Sequence, residues 1–131
     1  MQLSGFRFVL AVVAIMGTTL HGIVERWCEP NQGMRGHWEA VARIEFNKDY
    51  ELMSALDDVA ESGWPVDADR WGFGDCYFCK RSPDDFDGKQ WLHAGVFERV
   101  VARVQEASPQ ALGVLDFAKR FREARLLFFR F

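Results

Sequence analysis

His37-Trp38-Glu39-Ala40-Val41-Ala42-Arg43-Ile44-Glu45-Phe46 carries the clearest two-residue period in the chain. Trp38, Ala40, Ala42, Ile44 and Phe46 are apolar, and His37, Glu39, Arg43 and Glu45 share the other face with Val41. A period of two is the signature of a half-buried strand. The stretch before it, Thr19 to Trp27, alternates more loosely, with Gly22 as a candidate bulge. Between them CEPNQGMRG (28–36) holds Pro30, Gly33 and Gly36, so the chain turns there. The two runs predict an antiparallel hairpin with one wet face.

After this hairpin, Asn47 or Asp49 is placed to cap a helix. Tyr50 to Ser62 puts Met53, Leu56, Val59 and Ala60 on one stripe, with Gly63 closing the helix. WPVDADRWGFG (64–74) has no period and reads as an ordered loop anchored by its aromatics. Asp75 to Lys80 reads as a short edge strand and Arg81 to Lys89 as a turn. Val96, Phe97, Val100, Val101 and Val104 recur at helical spacing and predict a helix within Trp91 to Ala107. Ser108-Pro109 is a cap followed by proline at the first helical position. It starts a last helix to about Arg122 that buries Leu112, Leu115, Ala118 and Phe121. The closing RLLFFRF (125–131) reads as a strand that returns to the hairpin and completes its sheet.

These elements sum to a small α+β domain, a hairpin and C-terminal strand packed by about three helices. A chain of 131 residues has room for one such domain. Its 12 Phe, 5 Trp and 2 Tyr supply large buried areas, so even a small domain gains a substantial core. Residues 16–131 form the expected domain, and 1–15 an extension it does not require. The apolar run Phe8 to Met16 is too short to span a bilayer. No small-x-small cleavage site follows it, as a secretory signal would need. It reads as a signal-peptide core with poor flanks, as an upstream extension with Met16 as an alternative start, or as a buried element of the domain. Three cysteines, Cys28, Cys76 and Cys79, do not make a disulfide framework and point to a reducing, cytoplasmic setting.

Metal chemistry has one motif. His37-x-Glu39 followed by Cys76-x-x-Cys79 has the order of ligands and proton shuttle in zinc nucleobase deaminases. The context differs: His37 and Glu39 lie in a strand, Asp75 stands where that motif has proline, and KRSPDD (80–85) is no helix former. A structural zinc site on Cys76 and Cys79 is the softer form, with Cys28, His21, His37 or His93 completing the set. There is no nucleophile elbow around any serine and no phosphate-cradling glycine loop.

Charge is unevenly spread. Asp49 to Asp87 holds 11 acidic and 3 basic residues, whereas Lys119 to Arg130 holds 5 basic and 1 acidic. The net charge of −3 gives no overall attraction to nucleic acid or to an anionic membrane. An acidic surface with aromatic anchors fits docking on a basic protein, and Asp57, Asp58, Trp64, Asp67, Asp69 and Trp71 are the expected binding residues.

HGIVERW (21–27), RIEFNKDYELMSALDDV (43–59), DGKQWL (87–92) and RLLFFRF (125–131) also form a layout. It resembles that of small phage and prophage proteins with W…R-D-Y-x-L-F-x-x-L, then D/H-G-x-S-W-L, then R-L-V-F-W-F. Lys48 replaces the arginine of that pattern and Gln90 its serine. The resemblance covers His21 to Phe131 and implies a phage-encoded protein without supplying catalytic residues. The sequence therefore reads as a non-catalytic binding protein that needs no cofactor. Its partner would be a host protein, in a counter-defence role, or a small nucleotide signal. The alternative is a zinc protein or deaminase-like enzyme using His37, Glu39, Cys76 and Cys79.

Overall fold

Two strands of the chain are buried on both faces, and they set the architecture. The structure is a computed structural model and describes residues 19–69 and 86–130. β1 (Leu20–Cys28) and β2 (His37–Glu45) form the predicted antiparallel hairpin. Helix α1 (Tyr50–Val59) follows, then a two-residue strand β3 (Glu61–Ser62). The second half runs β4 (Asp87–His93), α2 (Ala94–Arg103), α3 (Pro109–Ala118) and β5 (Ala124–Arg130). The five-stranded sheet has the order β2-β1-β5-β4-β3, with every pairing antiparallel. The domain is α+β, as the sequence predicts.

β1 and β5 are neighbours in the interior of this sheet. Leu20 to Glu25 and Ala124 to Phe129 are each six buried residues in a row. A strand covered on both faces can carry apolar side chains at every position, which is why RLLFFRF shows no alternation. On one face the three helices bury Leu52, Met53, Leu56, Phe97, Val100, Val101, Ala111, Val114 and Ala118 against Leu20, Val24, Leu126 and Phe128. On the other, Ile23, Leu127 and Phe129 pack with Phe86, Trp64, Ala68 and Trp91. The expected wet face is therefore covered at its centre, because 64–69 lies across it.

The hairpin holds a bulge, at a different place from the one expected. Pairing shifts between Val24 and Glu25, so that Val24 opposes Ala42 while Glu25 opposes Ala40, and Val41 is the extra residue. Val41, Ala42 and Ile44 pack on the helix side, and Ala40 packs with the opposite cluster. Gly22 is regular strand. A Cβ there would come within 2.7 Å of the Phe46 ring and 3.3 Å of the Phe128 ring, so glycine admits those rings.

Two caps stand as read. The Asp49 carboxylate accepts from Leu52 N–H at 3.1 Å, and the Ser108 hydroxyl from Ala111 N–H at 3.1 Å with Pro109 next in line. Four boundaries move. α1 ends at Val59, and Gly63, at φ 79°, follows β3 instead of closing the helix. Asp87 to Lys89 and Trp91 to His93 belong to β4, so α2 starts at Ala94, because pairing with Leu126 and Leu127 claims Trp91 and Leu92 for the sheet. α2 stops at Arg103, short of Ala107. α3 ends at Ala118 and buries Ala111, Val114 and Ala118, leaving Leu112 52% exposed, so the helix is turned by about one position from the expected stripe. The expected extension 1–15 and edge strand 75–80 lie outside the described residues.

Candidate functional site

The β1–β2 register brings together three side chains with metal-ligand chemistry. Cys28 pairs with His37 across the ladder and Arg26 with Glu39. Successive side chains of a strand alternate faces, so these four share one side of the hairpin while Trp27 and Trp38 share the other. One ligand atom each from Cys28, His37 and Glu39 lies within 4.8 Å of the others, and all are exposed or half-buried. The Cys28 thiol donates to Glu39 Oε2 at 3.2 Å, and Arg26 Nη2 donates to the same oxygen at 3.2 Å. These two bonds lower the Glu39 pKa, with the thiol the larger cause. Desolvation, and then the Glu39 carboxylate beside it, raise the Cys28 thiol above its ordinary value. His37 Nδ1 donates to the Arg35 carbonyl at 3.0 Å. Below the cluster the loop is tied by Asn31 and Met34, whose backbones exchange hydrogen bonds of 3.0 and 2.7 Å.

On the opposite side of the sheet lies a buried polar network that sequence reasoning missed. Glu25 and Arg125 are cross-strand partners of β1 and β5, and they are 1% and 4% exposed. Arg125 Nε donates to Glu25 Oε1 at 2.6 Å, and its Nη1 lies 3.1 Å from Asp67 Oδ1. The guanidinium sits 4.1 Å from the centre of the Trp38 ring and 5.9 Å from that of Trp91. Asp69 N–H donates to Glu25 Oε2 at 2.6 Å, and Ala40 N–H donates to the Asp69 carboxylate at 2.9 Å. Burial pushes the Glu25 carboxyl above its ordinary range, opposed by the bonds from Asp69 and Arg125.

Of the six expected binding residues the structure describes five, Asp57, Asp58, Trp64, Asp67 and Asp69, and these five are divided between α1 and the 64–69 segment. Trp64 packs against Phe86 and Phe129, and its indole N–H donates to the Phe128 carbonyl at 2.8 Å. Asp67 and Asp69 fasten the same segment to the sheet through Arg125, Glu25 and Ala40. Asp57 accepts from Arg130 at 2.5 Å and from Gln90 at 2.9 Å, which ties α1 to β5 and β4. Asp58 is exposed and lines a shallow groove with Glu51, Ser54 and Arg103. Trp71 lies outside the described residues, as do Cys76 and Cys79. Of the deaminase-like set the structure thus describes His37 and Glu39. They stand on a strand beside Cys28, with Glu39 as near to ligand position as His37.

Among the described residues no helix is long and apolar enough to cross a membrane. In comparisons with known proteins the chain matches no family model, no curated protein and no solved structure.

Proposed function

We propose that the protein is a non-catalytic binding protein that docks an acidic surface on a basic protein partner. The observation that supports this is the run from Asp49 to Asp69, which holds seven acidic residues and no basic one. Some of these carboxylates serve the fold. Glu51, Asp58 and Glu61 are exposed and make no ion pair among the described residues. Exposed like charges left uncompensated repel one another weakly, and a basic partner relieves that repulsion while gaining steered association. With the phage resemblance, the partner class is a host protein in the cytoplasm, occluded as a counter-defence device. The nucleotide-sequestering form has less support, since the Trp64 ring and N–H are committed to Phe86, Phe129 and Phe128.

The test is reversal of Glu51, Asp58 and Glu61 to Lys, which spares the structural Asp57, Asp67 and Asp69. Exposed substitutions of this kind change stability by roughly 0.5 kcal/mol or less each. Wild-type and reversed proteins are used as bait in host lysate at low and high salt. Partners held by the wild type at low salt should be lost on reversal and lost again at high salt. Partners that survive both treatments refute the acidic docking surface.

A further inference from the structure

We propose that Cys28, His37 and Glu39 form a three-ligand site for Zn²⁺ at the turn end of the β1–β2 hairpin. The donor set is one sulfur, one imidazole nitrogen and one carboxylate oxygen, all within 4.8 Å of one another. Thiolate with imidazole suits zinc and disfavours magnesium and calcium, which take oxygen ligands. Tetrahedral zinc with its usual bond lengths needs ligand atoms about 3.5 Å apart. Cys28 Sγ and Glu39 Oε2 already stand at 3.2 Å. The remaining gaps, to the His37 nitrogen, are at most 4.8 Å and fall to the half-buried Cys28 and Glu39 side chains to close.

Independent features of the same hairpin favour a ligand-holding role. His37 donates Nδ1–H to the Arg35 carbonyl, so its proton and ring plane are fixed and Nε2 becomes the donor atom. Metal-bound histidines are held in this way by a carbonyl or carboxylate on the other nitrogen. Cys28 and His37 face each other across a paired ladder, and Glu39 is two residues along the same strand. The three ligands therefore stand on regular, paired backbone, where their spacing is set by the sheet. The thiol proton now shared with Glu39 Oε2 occupies the place that the metal takes. On binding, the Sγ–H bond breaks, the proton leaves to solvent, and thiolate and carboxylate together balance the dication. Arg26, also on Glu39 Oε2, orients the carboxylate without being a ligand. Three protein ligands leave the fourth position to water or an external donor.

This assignment rests on residues distinct from the acidic surface, so each reading stands or falls by its own measurement. The full-length protein is purified reduced, stripped with chelator and titrated with Zn²⁺ against a chromogenic competitor. Co²⁺ is used in parallel as the spectroscopic probe. One equivalent of Zn²⁺ per chain is expected, with a thiolate-to-cobalt charge-transfer band in the near ultraviolet. Cys28→Ser should abolish that band, and His37→Ala and Glu39→Gln should each weaken Zn²⁺ binding by about tenfold or more. The double variant Cys76→Ser/Cys79→Ser should keep both band and stoichiometry. Circular dichroism checks that the ligand variants keep the sheet. Absence of stoichiometric binding overturns the proposal, and so does a band that persists in Cys28→Ser or disappears in the Cys76/Cys79 double variant.

Discussion

Arg125 holds three positions at once: Glu25 within the sheet, Asp67 above it, and the Trp38 ring against its face. A buried pair of this kind adds little net stability over a hydrophobic pair, but removing one partner strands a charge in the interior. Glu25→Leu should therefore cost about 3–5 kcal/mol, and so should Arg125→Met. The double variant should cost much less than their sum, measured by urea unfolding, whereas additive costs would mean the two groups do not act as a unit. His21, on the same face, sets a pH dependence. It is 2% exposed, with its ring stacked 4.9 Å from Phe129, and burial lowers its pKa, with Arg43 adding to the shift and Glu45 opposing it. The unfolded chain then binds the proton more readily than the folded one. Stability is complete above the unfolded value of about 6.5 and falls as pH drops through it, levelling off below the folded value. Glu25 acts with opposite sign, since a raised carboxyl gains stability as pH falls towards its ordinary value. Comparison with His21→Phe isolates the histidine: melting temperatures at pH about 7.5 and about 5.5 should differ more for the wild type than for the variant. Equal differences would place the titration elsewhere.

At the scale of elements, the Val41 bulge decides which side chains meet. Deleting Val41 makes the ladder regular and turns everything on one side of it to the opposite face. Trp38 would leave Arg125, and Ala40 N–H would leave Asp69. The expected loss is about 3 kcal/mol or more, with a urea midpoint well below that of Val41→Ala, which keeps the bulge. A deletion no worse than Val41→Ala would show that the register tolerates either form. The same bulge marks the limit of what the sequence reveals. Asp49, Ser108-Pro109 and the alternation of β2 are local signals, and local chemistry decides them. The bulge is invisible because Trp38, Ala40, Ala42 and Ile44 keep a perfect period of two through it, and only pairing with β1 shows the change of face. β4 was hidden for a related reason: Trp91 and Leu92 continue the apolar pattern of α2, and only β5 claims them for the sheet. His37 and Glu39 stand out as a short motif. Cys28 joins them through the hairpin register, whereas Glu25 and Arg125, 100 positions apart, meet through the topology alone.

At the scale of the whole molecule, the described residues cover the two faces of the sheet in different ways. Three helices, two of them with side-chain caps, bury the first, whereas the second is covered by residues 64–69 and Phe86, which have little secondary structure of their own among the described residues. What holds that cover is Trp64 in its aromatic contacts, its bond to the Phe128 carbonyl, and the attachments of Asp67 and Asp69. Segments without regular secondary structure open at lower cost than the sheet beneath them. Trp64→Phe keeps a ring in place but removes the N–H, for a loss of about 1 kcal/mol. Trp64→Ala also leaves a void over Phe86 and Phe129 and should cost about 3 kcal/mol. The distribution of that loss separates a latch from a uniform core. If 64–69 opens as a unit, hydrogen exchange in Trp64→Ala should quicken first at the Ala40 and Asp69 amides, whose acceptors are Asp69 and Glu25. The amides of Val100 and Val101 in α2 should slow or quicken only with global stability. Loss of protection in equal measure at all four would mean the two faces unfold together. Opening would also leave Arg125 with Glu25 but without Asp67, so the second face would gain positive charge just as its apolar surface reaches solvent. The acidic residues of 64–69 thus have a task in the fold that precedes any partner, which is why the charges that test docking are Glu51, Asp58 and Glu61.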